Sequence, residues 1–223
     1  MKLSTFDPRT VPIHQIDVHL PAVSLNCLQP QALRQRFASP PNWQVELLAE
    51  KRFVSGPSVP AAVLIPLVMR SQPSLLLTLR TQHLSTHSGQ IAFPGGKVDA
   101  SDANAIAAAL RETHEEIGLA AASIEILGQL PVYSTGSAFA VTPVVALVRS
   151  DFTLQPNPNE VAEVFEVPLA FLMNPAHHQH HQMLWQNSHR HWLSMPYHDG
   201  TTERFIWGAT AGMLRNLYRF LSA

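Results

Sequence analysis

The segment covering residues 95–119 constrains this chain most, because it carries three glutamates at helical spacing between glycines. Residues three and four apart share one face of a helix. The spacing therefore predicts a helix with one mostly apolar stripe facing the core and with the glutamates together on the opposite side. The stripe comprises Ile106, Ala109, Leu110, Thr113 and Ile117, and the glutamates are Glu112, Glu115 and Glu116.

The clustered glutamates favour a functional interpretation. Each like-charge pair at this spacing costs an isolated helix roughly 0.2–0.5 kcal/mol, so a helix that only packs would gain from a lysine. Three hard oxygen donors on one face are instead what a Mg²⁺ or Mn²⁺ site requires. Arg111 lies four residues before Glu115, close enough to orient that carboxylate. Gly118 favours the end of the helix, since it adopts the left-handed conformation without a Cβ cost. A solvated charged face is the alternative interpretation.

The order of these residues resembles the Nudix box, whose pattern is Gly-x5-Glu-x7-Arg-Glu-(apolar)-x-Glu-Glu-x-Gly-(apolar). Residues 111–119 match the second half of that pattern without a gap. The first half departs from it, because Asp102 stands where the pattern has Glu and the spacer before Arg111 is one residue longer. A charged surface alone does not explain a Gly-Gly turn, an Arg-Glu pair, a Glu-Glu pair and a closing glycine in this order.

Segments on both sides of the box resemble the coenzyme A pyrophosphatase branch of the Nudix hydrolases. Upstream, that branch has the pattern Leu-Leu-Thr-x-Arg-Ser/Ala-x3-Arg-x3-Gly-x3-Phe-Pro-Gly-Gly. Residues 76–96 match it, except that Thr81 replaces the Ser/Ala and Ser85 replaces the second Arg. An Arg is a natural partner for a phosphate such as the 3′-phosphate of coenzyme A, whereas Ser85 brings no charge. The resemblance covers roughly residues 60–215, and its further segments are residues 141–145, 160–169 and 207–211.

The resemblance implies a Nudix fold, an α+β architecture in which a mixed β-sheet lies between helices. It implies divalent-metal-dependent hydrolysis of the pyrophosphate linkage of coenzyme A or its derivatives, giving 3′,5′-ADP and 4′-phosphopantetheine. Two alternatives stay open: the same chemistry on ADP-ribose or a dinucleotide, and a sensor that binds nucleotide without hydrolysis. Such sensors often lose a glutamate of the box, and all three are present here.

The resemblance also assigns roles to individual residues. The metal ligands would be Glu112, Glu115 and Glu116. The catalytic residues would be Glu115, Arg111 and Glu160, with Glu160 as one candidate for the base. The substrate-binding residues would be Arg80, Gly95, Gly96 and Lys97. Two alternatives remain, because Arg80 fits a surface charge on an edge strand and Glu160 fits an ordinary loop carboxylate. His114 is interpreted as a flanking residue.

The remaining pattern predicts an N-terminal arm with a short helix over residues 1–55 and a Nudix domain over residues 56–223. The arm is expected to be irregular up to residue 28, with a helix over residues 29–37. Pro66 argues against a regular central ladder in the first strand of the domain, because proline has no backbone N–H. A hairpin around residues 187–188 and an amphipathic helix over residues 208–221 are expected near the end. The predicted strands cover residues 61–69, 75–80, 89–93, 124–132, 139–148 and 161–168.

Histidines are concentrated between residues 177 and 191, which hold half of the 12 in the chain. Such tracts can bind metal. The region is predicted to be loop and hairpin, without Cys or acidic residues at ligand spacing. We therefore interpret it as a solvated, weakly metal-binding loop outside the site.

Composition narrows the class of protein. A length of 223 residues suffices for one substantial core, and a net charge of −1 excludes general electrostatic attraction to nucleic acid. The single cysteine, Cys27, cannot form an internal disulfide, and the first residues lack the apolar stretch of a secretory signal. The longest apolar run, residues 59–69, contains two prolines and is too short to span a bilayer. We expect a cytoplasmic protein with a small nucleotide substrate and neither a membrane nor a nucleic-acid partner; the sequence leaves a homodimer open.

Overall fold

Two β-sheets with helices packed on them make up the computed structural model, which describes residues 7–47, 49–52, 54–82, 88–185, 188–200 and 202–223. The helices are α1 (Pro30–Ala38), α2 (Ala105–Ile117), α3 (Leu169–Leu172) and α4 (Gly208–Ser222). The strands are β1 (Ile13–Ile16), β2 (Val59–Val68), β3 (Ser74–Arg80), β4 (Ile91–Ala92), β5 (Gly95–Lys97), β6 (Ile124–Gln129), β7 (Tyr133–Ser134), β8 (Phe139–Val148), β9 (Val161–Pro168), β10 (Gln179–Trp185), β11 (Ser188–Asp199) and β12 (Thr202–Trp207).

The larger sheet is mixed and lies between helices. Its strands run in the order β4-β3-β2-β8-β6, with β5 paired to β2, β7 to β8 and β9 to β3. The neighbours β2 and β8 are parallel, whereas β2 pairs with β3 and β5, and β8 with β6, in antiparallel fashion. On one face, Ala62 and Leu64 of β2 pack with Ala108 and Ala109 of α2. On the other face, β2 and β8 share the main core with α4. The predicted α+β architecture is confirmed.

The second sheet connects the N-terminal arm to the last third of the chain. Its order is β1-β10-β11-β12, and its strands are antiparallel. The expectation of an irregular arm is therefore wrong for β1, which is too short and too exposed to show an alternating pattern. The expected short helix is confirmed as α1, and Leu28 and Leu33 of the arm are buried in the main core. A domain boundary at residue 55 stays a proposal.

Pro66 lies within a central strand, contrary to expectation. β2 keeps an unbroken parallel register with β8, in which Pro66 is opposite Ala146. On the other side of β2, the Leu64 N–H donates to the Pro94 carbonyl oxygen (2.9 Å), and pairing with β3 begins only at Leu67. Because N–H groups two residues apart in a strand point the same way, the side of Pro66 that lacks an N–H faces the gap between these partners. The strand therefore loses no ladder bond at Pro66.

Most of the histidine-rich stretch lies in β10 and β11, so its interpretation as a solvated loop is wrong for part of it, although His189 and His191 are exposed. His178 and His181 are buried. Arg215 donates to His178 Nδ1 (3.0 Å), and His178 Nε2 lies 2.8 Å from the Leu172 carbonyl oxygen. His181 Nε2 lies 2.8 Å from the hydroxyl of Ser194. His181 lies in β10, and its contact with Ser194 joins β10 to β11. His178 directly precedes β10, and its contact with Arg215 joins this part of the chain to α4.

Most remaining differences concern short strands. β4 covers only two of the residues expected for it, and β5 and β12 were not predicted from the sequence. The amphipathic C-terminal helix is confirmed as α4. None of the helices in the described ranges combines the length and the apolar character that crossing a bilayer would require.

Candidate active site

Helix α2, which carries the three glutamates, has a defined start and end. Asn104 caps the start, where its Oδ1 accepts a hydrogen bond from the Ala107 N–H (3.0 Å). This bond satisfies one of the donors that a helix start leaves free. Gly118 ends the helix in the left-handed conformation at φ 68°, and its N–H donates to the His114 carbonyl oxygen (2.8 Å). The predicted helix end at Gly118 is confirmed.

Glu116 points into the protein rather than to solvent. Its side chain is only 3% exposed, with Oε1 accepting from Arg80 and Oε2 accepting from the Gly95 N–H, both at 3.1 Å. The expectation that all three glutamates lie on the outer side is therefore wrong for Glu116. Burial raises the pKa of Glu116 to about 7, although the Gly95 N–H and Arg80 favour its ionised form. The residues of α2 that are buried are Ala108, Ala109, Thr113, Glu116 and Ile117.

Glu112 lies directly against Gly96. A Cβ at Gly96 would stand only 2.5 and 2.6 Å from the two carboxylate oxygens of Glu112. Glycine is required here by this close approach and not by a positive φ. Burial raises the pKa of Glu112, and the charges of Glu115 and Glu160 raise it further, whereas Arg111 lowers it. The predicted place of Gly96 in the site thus has a physical reason, because it leaves room for this carboxylate.

Arg111 connects the outer carboxylates of the helix. Its Nη1 donates to Glu112 and to Glu115, each at 3.0 Å. Its Nε and Nη2 donate to the two oxygens of Asp102 at 3.0 and 2.9 Å. Nη2 also donates to the carbonyl oxygen of Lys97 (3.1 Å). Arg111 therefore contacts Glu115 as the sequence predicted, and it is itself held by a bidentate carboxylate, a geometry that fixes a guanidinium.

Asp102, which replaces the upstream Glu of the box pattern, binds Arg111 despite the longer spacer. The residues before it form a turn, in which the Asp102 N–H donates to the Asp99 carbonyl oxygen (3.0 Å) and the Asp99 N–H donates to Asp102 Oδ2 (2.8 Å). Hydrogen bonds from Arg111 keep the pKa of Asp102 below its ordinary value. The longer spacer thus still delivers an acidic side chain to Arg111. The sequence identifies Asp102 only as a replacement for the Glu of the box, and its contact with Arg111 is visible only in the structure.

Arg80 and Glu160 reach the same region from other strands. Arg80 ends β3, an inner strand, and its side chain is 21% exposed, so its interpretation as a surface charge on an edge strand is wrong. Its Nε is buried and has no hydrogen-bond partner among the described residues. Glu160 immediately precedes β9, and its charge raises the pKa of both Glu112 and Glu116. Glu116 therefore lies close enough to Arg80, Glu112 and Glu160 to interact electrostatically with each of them.

The central part of the sequence matches a known family. A family model described as NUDIX domain covers residues 58–188. The chain belongs to the Nudix family. Its relatives include the "Uncharacterized Nudix hydrolase NudL" of Enterobacter sp. (strain 638), which is 47% identical over 160 residues, or 70% of this chain and 80% of the relative. The protein of the same name from Escherichia coli (strain K12) is 45% identical over 158 residues, with the same coverage. A solved Ap4A hydrolase binary complex from C. elegans aligns with 53% of this chain and 85% of that one, at 22% identity and a TM-score of 0.43.

Nudix enzymes generally use divalent metal ions, and the donors at this site fit such an ion. Glu112 and Glu116 bring carboxylate oxygens, which are hard donors, to the two glycines of β5. The raised pKa of both groups means that the ionised carboxylates are destabilised by burial and by each other, and a nearby cation would favour the ionised forms. In the part of the chain that the structure describes, no three His, Cys, Asp or Glu side chains already stand at metal-ligand spacing. The carboxylates are paired with arginines instead.

The structure brings some of the predicted residues of this Nudix site together and leaves others apart. Arg80, Gly95, Gly96, Glu112 and Glu116 form the contacts described above. Glu115 stands on the outer side, with its side chain 55% exposed and bound to Arg111. The Lys97 side chain is exposed, and only its backbone carbonyl reaches the site. His114 is exposed, as a flanking residue would be. Ser85 lies outside the described residues.

Proposed function

We propose that this Nudix protein hydrolyses the pyrophosphate linkage of coenzyme A or of its derivatives, giving 3′,5′-ADP and 4′-phosphopantetheine. The observation that carries a hydrolytic function is the meeting of Glu112, Glu116 and Arg80 at the two glycines of β5. The preference for coenzyme A rests on the segments flanking the box, which resemble that branch of the family.

The proposed metal ion is Mg²⁺ or Mn²⁺, held by Glu112, Glu115 and Glu116. When bound, such an ion neutralises charge on a pyrophosphate and acidifies water. Arg111 would keep two of these carboxylates oriented, since its Nη1 already binds Glu112 and Glu115. Gly96 would keep space for the carboxylate of Glu112, because any side chain there would displace it.

The remaining residues would act on the substrate and on water. Glu160 would accept a proton from water as the water oxygen bonds to phosphorus and the bond from phosphorus to the bridging oxygen breaks. Arg80 would bind a phosphate oxygen, which would satisfy its unpartnered Nε. The substrate would lie along β5 and contact Gly95, Gly96 and Lys97.

The test is a product analysis of the purified protein. The protein is incubated with Mn²⁺ or Mg²⁺ and with coenzyme A, dephospho-coenzyme A, ADP-ribose and a dinucleotide, and the products are identified by mass. We expect 3′,5′-ADP and 4′-phosphopantetheine from coenzyme A. Turnover of ADP-ribose or the dinucleotide alone would reassign the substrate. Nucleotide binding without any turnover would instead support a sensor.

A further inference from the structure

The loop before β9 fixes Glu160 at several points. The Glu160 N–H and the Val161 N–H both donate to the Asn157 carbonyl oxygen, at 3.0 and 2.9 Å. The Thr81 N–H donates to the Glu160 carbonyl oxygen (2.9 Å), and the Thr81 hydroxyl donates to the Asn159 carbonyl oxygen (3.1 Å). These bonds hold the main chain of the loop, but none of them touches the Glu160 carboxylate.

Asn157 supplies the contact to that carboxylate. Its Nδ2 donates to Glu160 Oε1 (3.2 Å), and in the described part of the chain no other donor to this carboxylate is found. Its Oδ1 accepts from the Asn159 N–H (3.1 Å). The two partners determine the orientation of the amide, because a carboxylate needs a donor and an N–H needs an acceptor.

Asn157 also ties the loop to the helix that carries the glutamates. Its backbone N–H donates to the carbonyl oxygen of Glu116 (2.8 Å), and the Gln155 N–H donates to that of Ile117 (2.8 Å). One residue therefore contacts the end of α2 through its main chain and Glu160 through its side chain. This arrangement sets the carboxylate of Glu160 relative to the carboxylates on α2.

We propose that Asn157 is a positioning residue whose side-chain amide fixes the carboxylate of Glu160 for proton abstraction, an inference that rests on the proposed function. The sequence also indicates a turn at this place, since the Asn-Pro-Asn segment of residues 157–159, directly before Glu160, is typical of a turn closed by an Asn side chain. The side chain of Asn157 thus has two roles: its Oδ1 closes the turn, and its Nδ2 donates to the carboxylate of Glu160. The proposal concerns the second role.

The variant Asn157→Asp separates these two roles. It keeps an oxygen that can accept from the Asn159 N–H, so the turn is retained, but it removes the donor to Glu160 and adds a negative charge beside it. We expect kcat to fall tenfold or more, KM to change less than about twofold, and the thermal melting curve to be nearly unchanged. Asn159→Asp is the matched control, because it makes the same chemical change on an exposed side chain two residues away. It should keep the turnover of the natural protein.

A double-mutant cycle with Glu160→Gln then tests whether Asn157 acts through Glu160. In that background the new carboxylate at position 157 can accept from the new amide at position 160, so Asn157→Asp should cost less than about twofold further. A merely structural residue would cost the same factor in both backgrounds, and that result would overturn the proposal. Equal turnover for Asn157→Asp and Asn159→Asp would overturn it as well.

The contact itself can be tested without activity. In ¹⁵N-labelled protein, the side-chain amide signal of Asn157 should shift when Glu160 is changed to Gln, and the signal of Asn159 should not. An Asn157 signal that does not move would refute the positioning role, whether or not Asn157→Asp folds. Failure of the natural protein to hydrolyse any substrate would refute the proposed function while leaving the amide result to decide the contact.

Discussion

Replacing Gly96 by alanine should disable the site while leaving the fold intact. The new Cβ would be nearest to the carboxylate carbon of Glu112 and would lie 2.5 and 2.6 Å from its oxygens, so that carboxylate must move by about 1 Å to reach the 3.4 Å of ordinary contact. The obstructing atoms are the end of a flexible side chain, and Gly96 has no positive φ, so the move costs little stability. A misplacement near 1 Å lowers turnover by on the order of 100-fold.

The neighbouring glycine provides the matched control. Gly95 has φ 153°, and a Cβ there would lie 2.6 Å from the Cα of Val63, which is backbone and cannot rotate away. Backbone strain and overpacking together should cost Gly95→Ala about 2–4 kcal/mol. For a chain of this size, that loss lowers Tm by roughly 5–15 °C.

The two variants are compared by circular-dichroism melting, by kcat and KM at saturating Mn²⁺, and by the rise in Tm as Mn²⁺ is added. We expect Gly96→Ala to melt like the natural protein but to lose turnover and most of the Mn²⁺-dependent rise. Natural turnover in Gly96→Ala would show that the position of the Glu112 carboxylate is immaterial. Melting of Gly96→Ala as early as that of Gly95→Ala would contradict the relaxation argued from the structure.

Further expectations address the metal, the substrate and the buried histidine. Glu116→Gln keeps the shape of the side chain but removes its charge, so turnover should fall by on the order of 10²–10³ in a normally folded protein; a variant that keeps most of its turnover would exclude Glu116 as a principal ligand. Exhaustive chelation should abolish turnover and Mn²⁺ should restore it, and activity that survives chelation would end the metal hypothesis. Ser85→Arg should raise kcat/KM for coenzyme A relative to dephospho-coenzyme A by about tenfold or more at fixed salt, because one charge-assisted hydrogen bond is worth roughly 1.5–3 kcal/mol; an unchanged ratio would mean that position 85 does not contact the 3′-phosphate. Burial lowers the pKa of His178 from 6.5 to about 4. As the pH falls from 6.5 to 4, the unfolded chain therefore takes up a proton at His178 while the folded protein does not, and the free energy of unfolding should fall by about 3 kcal/mol. Urea unfolding over this pH range should show a smaller loss for His178→Gln, and equal losses would refute that assignment.

Local patterns in the sequence predicted the elements that depend on neighbouring residues. The helix expected over residues 29–37 is α1, and the end of α2 at Gly118 and the helix α4 follow from helix-capping and periodicity. Strands β1 and β5 could not be predicted this way, because each is defined by a partner far away in the chain. β12 is different, since it pairs with the preceding strand β11, and this hairpin was missed. The burial of His178 and His181 depends on contacts that the local pattern does not show either. These buried histidines are satisfied by Arg215 and Ser194, and His178 by the Leu172 carbonyl, so only the tertiary structure shows that burying them is tolerable.

The inward direction of Glu116 shows why the site itself could be predicted only in part. Glu116 follows Thr113 by three residues and Ala109 by seven, so helical spacing alone places it at the edge of the apolar stripe. It was assigned to the outer side because it is charged, and a charged group is buried only where compensating donors exist. Here the donors are the Gly95 N–H and Arg80, which come from two other strands. Small residues on both elements, Ala62 on β2 and Ala108 on α2, let the helix pack closely on the sheet. The same packing that buries the helix therefore brings Glu116 to Gly95, so the stability of α2 on the sheet and the geometry of the candidate metal site depend on one contact surface.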